Sequence, residues 1–447
     1  MLPKAFENRM KILLGEEWDA FLQSMEQPSF RGLRWNPLKC SKETLQKNLV
    51  FSLEPTPFSS FSYQIPQDVE RIGTMPLHHA GAFYVQEPSA SSAVTVLDPK
   101  PGDRVLDLCA APGGKSTQIG TCLQGEGLLW SNEFVKNRAT VLLSNIERMG
   151  IRNGVVSSCH PDTLCQKLAG YFDKVLVDAP CSGEGMFRRD PQAVADWSEE
   201  HVKTCAVRQQ AILDSASQTV KEGGVLVYST CTFAPEENEQ VVEAFLRTHP
   251  EFECEDCGVS FGRASKRLPM TRRIFPMDGG DGHFVAKMRR VDANPESPLP
   301  YVYTSRGRKD SQKAMEELLD SIFVKTPNRP IEQVKDFFVF LPDGLPRLDG
   351  LGVIRAGTLV AEGKTNRLEP VHQLFSSASL ENCRQVVDLP ADSEEIRRFL
   401  LGEELEVADS YRGFVLVAVD GIPLGSGKCS QGRLKNRYPK GLRNHRF

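Results

Sequence analysis

Arg104-Val-Leu-Asp-Leu-Cys-Ala-Ala-Pro-Gly-Gly-Lys-Ser-Thr117 reads as a short β-rich run, a Gly-rich turn and the start of a helix that continues to Leu123. Further strand patterns recur at 127–133, 154–159, 173–178 and 224–228, separated by long helical patterns. Strands alternating with helices predict a parallel sheet covered on both faces. Such sheets bind ligands at the carboxyl ends of their strands, where the strand order reverses.

The chain has 447 residues, 40% hydrophobic and 25% charged, which is ordinary for a folded multidomain protein and excludes a fibrous or wholly disordered one. No run approaches the ~18 apolar residues of a membrane span, and the first residues lack the basic-then-apolar order of a signal peptide. A cytoplasmic, monomeric protein without membrane association is expected. Twelve cysteines are too few for a disulfide scaffold and are read as reduced thiols. A stretch at 53–67 carries Pro among Ser and Phe, and three prolines fall within 291–300. These breaks divide the chain into four units, 1–75, 76–292, 293–385 and 386–447, the second of which carries the strand–helix alternation.

Three groups of residues fall where the strands should end. In the first, Asp107 to Thr117, Gly113 and Gly114 would let the backbone approach a ligand, and the helix amino terminus favours an anionic group. It is no P-loop, because Cys109 stands where that motif requires its first Gly, and it does not match G-x-G-x-x-G. The second strand pattern ends in Glu133, which can accept hydrogen bonds from ribose hydroxyls, and Asp162 follows the third strand, where it can meet an adenine edge. Either acid alone is ordinarily a cap or solvated residue. At successive strand ends they describe an adenosine site, and the missing phosphate cradle narrows the cofactor toward S-adenosylmethionine.

The other two groups are Asp178-Ala-Pro-Cys-Ser-Gly183 and Ser229-Thr-Cys-Thr-Phe233. Right-handed crossovers should bring Cys181 and Cys231 to one pocket beside Asp178. One such thiol alone is ordinarily a buried structural residue. A pair beside a methyl donor suggests pyrimidine C5 chemistry: a thiolate adds at C6, the activated C5 takes the methyl group, an acid near N3 assists the addition, and a second thiol promotes release. These residues alone do not say which cysteine attacks.

Together these blocks resemble the signatures of the NOL1/NOP2/Sun family of RNA 5-methylcytosine methyltransferases. Tyr84-Val-Gln-Glu-Pro-Ser-Ala90 is similar to the segment leading into that family's catalytic domain. Leu33-Arg-Trp-Asn-Pro-Leu-Lys39 and Lys435-Asn-Arg-Tyr-Pro-Lys-Gly-Leu-Arg443 extend the likeness to its bacterial RsmF (YebU) branch, with 293–385 matching least clearly. The resemblance implies a Rossmann-like S-adenosylmethionine-dependent methyltransferase domain with a small N-terminal domain and a PUA-like C-terminal RNA-binding region. It implies C5 methylation of cytosine in 16S ribosomal RNA, with Cys231 as nucleophile, Cys181 promoting release and Asp178 contacting the base. It places Asp107, Cys109, Ala110, Ala111, Pro112, Gly113, Gly114, Lys115, Glu133, Arg138, Asp162 and Asp178 around the cofactor. The expected partner is ribosomal RNA or the small subunit.

Charge patterning adds a candidate surface for that partner. Against a chain total of 54 basic and 58 acidic side chains, residues 427–447 contain seven Lys or Arg and no acid. Lys428, Arg433, Lys435, Arg437, Lys440 and Arg443 are the candidate RNA contacts; the bland alternative is a solvated tail. Cys254-x-x-Cys257 has no second pair at ligand spacing, so no metal is expected. Lys266, Arg267, Arg272 and Arg273 could be a solvated face or an RNA-facing loop. Two rival functions are a DNA cytosine methyltransferase, which would not need Cys231, and an RNA-binding assembly protein with a vestigial cofactor fold.

Overall fold

The structure, a computed structural model, describes residues 2–292, 309–365 and 367–444, so most of the Pro-marked boundary after residue 292 lies outside the described residues. The central sheet contains β1 (Arg104–Asp107), β2 (Leu128–Asn132), β3 (Gly154–Ser157), β4 (Phe172–Asp178), β5 (Val220–Thr230), β6 (Arg272–Ile274), β7 (His283–Arg290) and β8 (Val353–Ala356). Across these eight the order is β6-β7-β5-β4-β1-β2-β3-β8, and two more strands complete the sheet, Arg263–Ala264 beyond β6 and Phe252–Glu255 paired to β7. Strands β1 to β5 are parallel to their neighbours, whereas β7 runs antiparallel to β5 and β8 antiparallel to β3. The order reverses between β1 and β4, which puts a crevice at their carboxyl ends.

Helices α1 (Gly114–Leu123), α2 (Lys136–Arg148), α3 (Pro161–Lys167), α4 (Glu199–Ser217) and α5 (Glu239–Thr248) supply the crossovers and cover. The strands can be continuously apolar because both faces are covered: Val105, Leu106, Leu129, Trp130, Val175, Leu176, Leu226 and Val227 are all buried. Ser198 caps α4, its Oγ accepting from His201 N at 3.0 Å.

The outer units are tied to this sheet. Strands Glu54–Pro55, Ser62–Gln64, Gly32–Trp35 and Phe83–Val85 form an N-terminal sheet in that order. Its apolar face shares one core with the C-terminal unit, where Leu33, Leu77 and Phe83 cluster with Ile396, Phe399 and Val417. Trp35 belongs to this packing, and its indole donates to Cys40 O at 3.0 Å. Lys39 Nζ donates to Pro423 O at 2.7 Å and to Ser376 O, joining the N-terminal unit to both later ones. The region after residue 308 forms its own four-stranded sheet and also lends β8 to the central one. Glycines bracket that loan: a Cβ on Gly352 would lie 2.3 Å from Ser158 O, and one on Gly357 would lie 1.9 Å from Phe340 O.

The two glycines of the Gly-rich turn are closely packed. Gly113 has φ +116°, and a Cβ there would meet Leu142 and Asn145 of α2, while one on Gly114 would meet Gln86 and Tyr84. Their absent side chains clear these neighbours, and Gly114 also lines a pocket with Lys115 and Asp178. The basic cluster at 266–273 also has partners: Arg267 is paired with Glu243, Arg272 with Asp256, and the buried Arg273 with Glu239.

Candidate active site

The carboxyl ends of β1, β2, β4 and β5 open into a cleft with two lobes. The larger, about 1000 Å³, is lined by Cys109, Glu133, Arg138 and Asp162 on one side and Cys181 and Cys231 on the other. The smaller, about 290 Å³, runs from the turn after β1, with Ala110, Pro112 and Lys115, to Cys231 and His283. Cys109, Ala111, Asp178, Met186 and Cys231 belong to both, so anything held in one lobe meets the other at Cys231.

Glu133 follows β2 directly as a buried carboxylate. Its Oε1 accepts from Val135 N at 2.9 Å, and Arg138 lies 3.4 Å from Oε2 while also donating to Ala111 O at 3.2 Å. Each carboxylate oxygen has two lone pairs, so Glu133 can still accept from a ligand hydroxyl. Asp162 lies exposed in the first turn of α3, accepting from Gln166 at 3.0 Å. Asp107 is fully buried; its Oδ2 accepts from Ser116 at 2.7 Å, while Oδ1 has no partner among the described residues. Burial, with Asp178 and Glu133 nearby, pushes its pKa up to about 7 despite the Ser116 hydrogen bond.

The second half of the site faces this group across the cleft. Cys181 Sγ and Cys231 Sγ are 3.3 Å apart. The hydrogen bond to Cys231, followed by burial, holds the Cys181 thiol well above the usual range. Asp178 accepts from Lys115 Nζ at 2.7 Å through Oδ2 and from Ser229 Oγ at 2.7 Å through Oδ1. Burial opposes the charge on Lys115, but the ion pair with Asp178 outweighs it and raises its pKa. Asp178 is thus the acceptor, and the ammonium of Lys115 is the cationic donor beside the thiols. The sequence reading placed Lys115 among the cofactor contacts; here it lines the smaller lobe, with Asp178.

Buried acids hold the two cysteine loops in place. Glu237 accepts from Ser182 N at 2.9 Å, from Gln209 at 2.8 Å and from Ser182 Oγ; Gln209 also donates to Pro180 O at 3.0 Å. Glu184 accepts from Trp197 Nε1 at 2.9 Å, Thr232 Oγ1 at 3.0 Å and Phe233 N at 2.9 Å. Gly185 N donates to Cys231 O at 2.9 Å. Each loop therefore carries an acid that fixes the other: Glu184, after Cys181, holds Thr232 and Phe233, and Glu237, after Cys231, holds Ser182. None of these positioning residues was singled out from sequence; Glu184, three places after Cys181 in a Gly-rich loop, offered only its charge.

The candidate RNA contacts lie far from this cleft in sequence, on the C-terminal sheet. Lys428 and Lys435 are directly opposite one another on strands Ile422–Ser430 and Arg433–Asn436, as are Ser430 and Arg433. With Lys440 they are exposed, while the alternating Cys429 and Leu434 point into the core. Arg437 is instead paired with Glu369 at 3.0 Å, and Arg443 is half-buried against Gly402.

Comparison with known proteins covers all four units. Residues 2–88 match the N-terminal domain of 16S rRNA methyltransferase RsmF, and 94–289 match the 16S rRNA methyltransferase RsmB/F family. Residues 315–377 match the RsmF rRNA methyltransferase first C-terminal domain, and 386–444 the methyltransferase RsmF PUA domain. Ribosomal RNA small subunit methyltransferase F of Vibrio vulnificus (strain YJ016) is 33% identical over 99% of this chain and 97% of its own length. The chain belongs to the RsmF family of methyltransferases. The Escherichia fergusonii member is likewise 33% identical, over 98% of this chain and 96% of its own. Among solved structures, a methyltransferase homolog from Pyrococcus horikoshii is 30% identical over 65% of this chain and 95% of its own, with a TM-score of 0.58. NSun6 from the same organism shares the fold at 23% identity and a TM-score of 0.59, over 65% of this chain and 98% of its own.

Membership makes this an S-adenosylmethionine-dependent Rossmann-like methyltransferase with N-terminal and PUA domains. The residues present fit that cofactor. A buried carboxylate oxygen without a partner on Asp107 suits an ammonium group, and Glu133, with lone pairs to spare, suits ribose hydroxyls.

Proposed function

We propose that this RsmF-family enzyme methylates C5 of cytosine in 16S ribosomal RNA through a covalent bond between Cys231 and C6 of the base. The observation that carries this reading is the pair of thiols 3.3 Å apart, beside the Lys115–Asp178 ion pair and on the wall shared by both lobes. S-adenosylmethionine supplies an electrophilic methyl group. Glu133, Arg138 and Asp162 would hold its adenosine end in the larger lobe, and Asp107 its ammonium.

The thiolate of Cys231 adds to C6, forming the C–S bond and pushing electron density onto C5, which would then bond to the methyl carbon as the methyl–sulfonium bond breaks and its electron pair leaves with the donor's sulfur as a neutral thioether. Before that addition the two thiols share a hydrogen bond, and toward a Cys231 thiolate Cys181 can only be the donor. Afterwards the sulfur of Cys231 is a thioether and a weaker acceptor, which removes the hydrogen bond that raised the Cys181 pKa most, while burial and Glu237 still raise it. Cys181 can then release its proton to solvent and take the proton from C5. The electrons of that C–H bond re-form the C5–C6 double bond as the C6–S bond breaks, regenerating the Cys231 thiolate. The Lys115 ammonium, held by Asp178, supplies a donor for the carbonyl or ring nitrogen on which charge accumulates.

Target RNA would be captured on the C-terminal sheet. Two lysines directly opposite one another repel, and a phosphate backbone over Lys428, Lys435 and Arg433 would relieve that repulsion. Bisulfite mapping of 16S ribosomal RNA from cells lacking this protein is the test. Loss of protection at one or a few cytosines, restored by the wild-type gene and not by Cys231→Ala, is expected. An unchanged map would contradict the reading.

A further inference from the structure

His283 begins β7 and lines the smaller lobe, and neither the methyl donor nor the thiol chemistry above uses it. Behind it stands a chain of hydrogen bonds. Glu87 Oε1 accepts from Ser89 N at 2.9 Å and Asp281 N at 3.0 Å; its Oε2 accepts from Ala90 N at 3.0 Å and Ser89 Oγ at 2.6 Å. Four donors converge on this carboxylate, so the Ser89 hydroxyl proton points to Glu87 and its oxygen is left to accept. Its other neighbour is His283 Nδ1, at 2.9 Å, which must therefore carry the ring proton. Neutral imidazole has one N–H, so Nε2 presents a bare lone pair. Nε2 has no hydrogen bond among the described residues, and the ring faces the cleft.

Phe284 pairs with Thr230 at the end of the β7–β5 ladder; the next residue on each chain is His283 and Cys231, and both line the smaller lobe. A base bonded to Cys231 through C6 thus has the imidazole along its edge. On this wall Asp178 accepts from Lys115 and Ser229, Asp281 from Arg188, Arg189 and Phe30 N, and Gln86 Oε1 from Arg34 at 2.6 Å, whereas His283 Nε2 is an acceptor with no donor on it among the described residues. The free oxygen of Asp107 lies at the turn end of the lobe, after β1. We propose that His283 is a specificity-determining residue, accepting a hydrogen bond at Nε2 from the exocyclic amino group of the target base and so admitting cytosine over uracil. Cytosine offers a donor at that edge and uracil an acceptor, which would face the lone pair unsatisfied. Removal of the C5 proton is a poorer use of this group, because burial lowers its pKa to about 3, far from the range of an effective base at neutral pH. The inference rests on the C5-methylation reading.

The test compares matched RNA oligonucleotides carrying cytosine, or 2-pyrimidinone without the 4-amino group, at the mapped target position. The kcat/KM ratio of cytosine to 2-pyrimidinone is measured for the wild-type protein and for His283→Phe, so the different reactivities of the two rings cancel between enzymes. The ratio should fall about tenfold in His283→Phe, the size of one buried hydrogen bond. His283→Gln, which retains an acceptor, should recover most of it. Ser89→Ala, which leaves the imidazole but frees its tautomer, should lower the ratio too. Unchanged S-adenosylmethionine affinity reports that each variant is folded. Equal ratios in folded wild-type and His283→Phe proteins would overturn the role of His283 alone. Failure of the wild-type protein to methylate the cytosine RNA at all would overturn the reaction and this inference with it.

Discussion

The cysteine loops and the C-terminal basic face both carry functional candidates, yet they are built oppositely. Around Cys181 and Cys231, buried acids with several hydrogen bonds each fix the backbone, and the thiols meet at 3.3 Å. On the C-terminal sheet, Lys428, Arg433, Lys435 and Lys440 stand exposed, Lys428 lying 5.3 Å over the Phe414 ring. Bond making needs positions held to a fraction of an ångström, whereas capture of a polyanion needs charge at roughly the right place. Substitutions should therefore be severe and specific in the first region, graded and salt-dependent in the second.

The largest effect is expected for Cys231→Ala, which should lower methyl transfer by at least about 10³-fold in a radiolabelled-methyl assay, with S-adenosylmethionine affinity unchanged. Glu237→Ala comes next, because Ser182 and Gln209 lose their shared acceptor inside the protein. It should cost about 1–3 kcal/mol in chemical denaturation and slow transfer as well, while Glu237→Gln, which keeps an acceptor oxygen, should cost less. A merely solvated acid would show neither loss.

Asp107 sharpens the contrast through pH. Its folded pKa of about 7 exceeds the ordinary 3.8, so its contribution to stability falls as pH rises from 3.8 toward 7 and is level above. An ammonium partner reverses the preference, since it binds the ionised form. Cofactor affinity should thus rise about tenfold between pH 6 and pH 8, with proton uptake by buffer visible in calorimetry, and Asp107→Asn should flatten the dependence. The smallest effect belongs to the basic face: Lys428→Ala and Lys435→Ala should each reduce the slope of log affinity against log salt by ~0.7, leaving transfer at saturating RNA unchanged. Filter binding over a salt series measures it.

The parallel strands were legible because each is a short apolar run with an acid or a Cys at its end or within two residues of it, and the crossover rule then brings Asp178, Cys181 and Cys231 together. What escaped was long-range. Strand β8 is four residues between two glycines, and nothing local marks it as the edge partner of β3. The shared core of the N- and C-terminal units joins residues more than 300 positions apart in the chain. Glu184, Glu237 and His283 are ordinary polar residues in sequence, and only burial and register give them roles. Arg437 and Arg443 show the converse: counting charges cannot distinguish an exposed cation from one already engaged by Glu369 or packed on Gly402.

The order of events at the two thiols is the core of the account, and a denaturing gel with labelled substrate RNA reads it directly. Addition at C6 precedes methyl transfer and elimination comes last, so Cys181→Ala should strand enzyme covalently bonded to methylated RNA and give a shifted band. Cys231→Ala, and the double variant, should give none. A shifted band for Cys231→Ala with none for Cys181→Ala would contradict the assignment and make Cys181 the nucleophile.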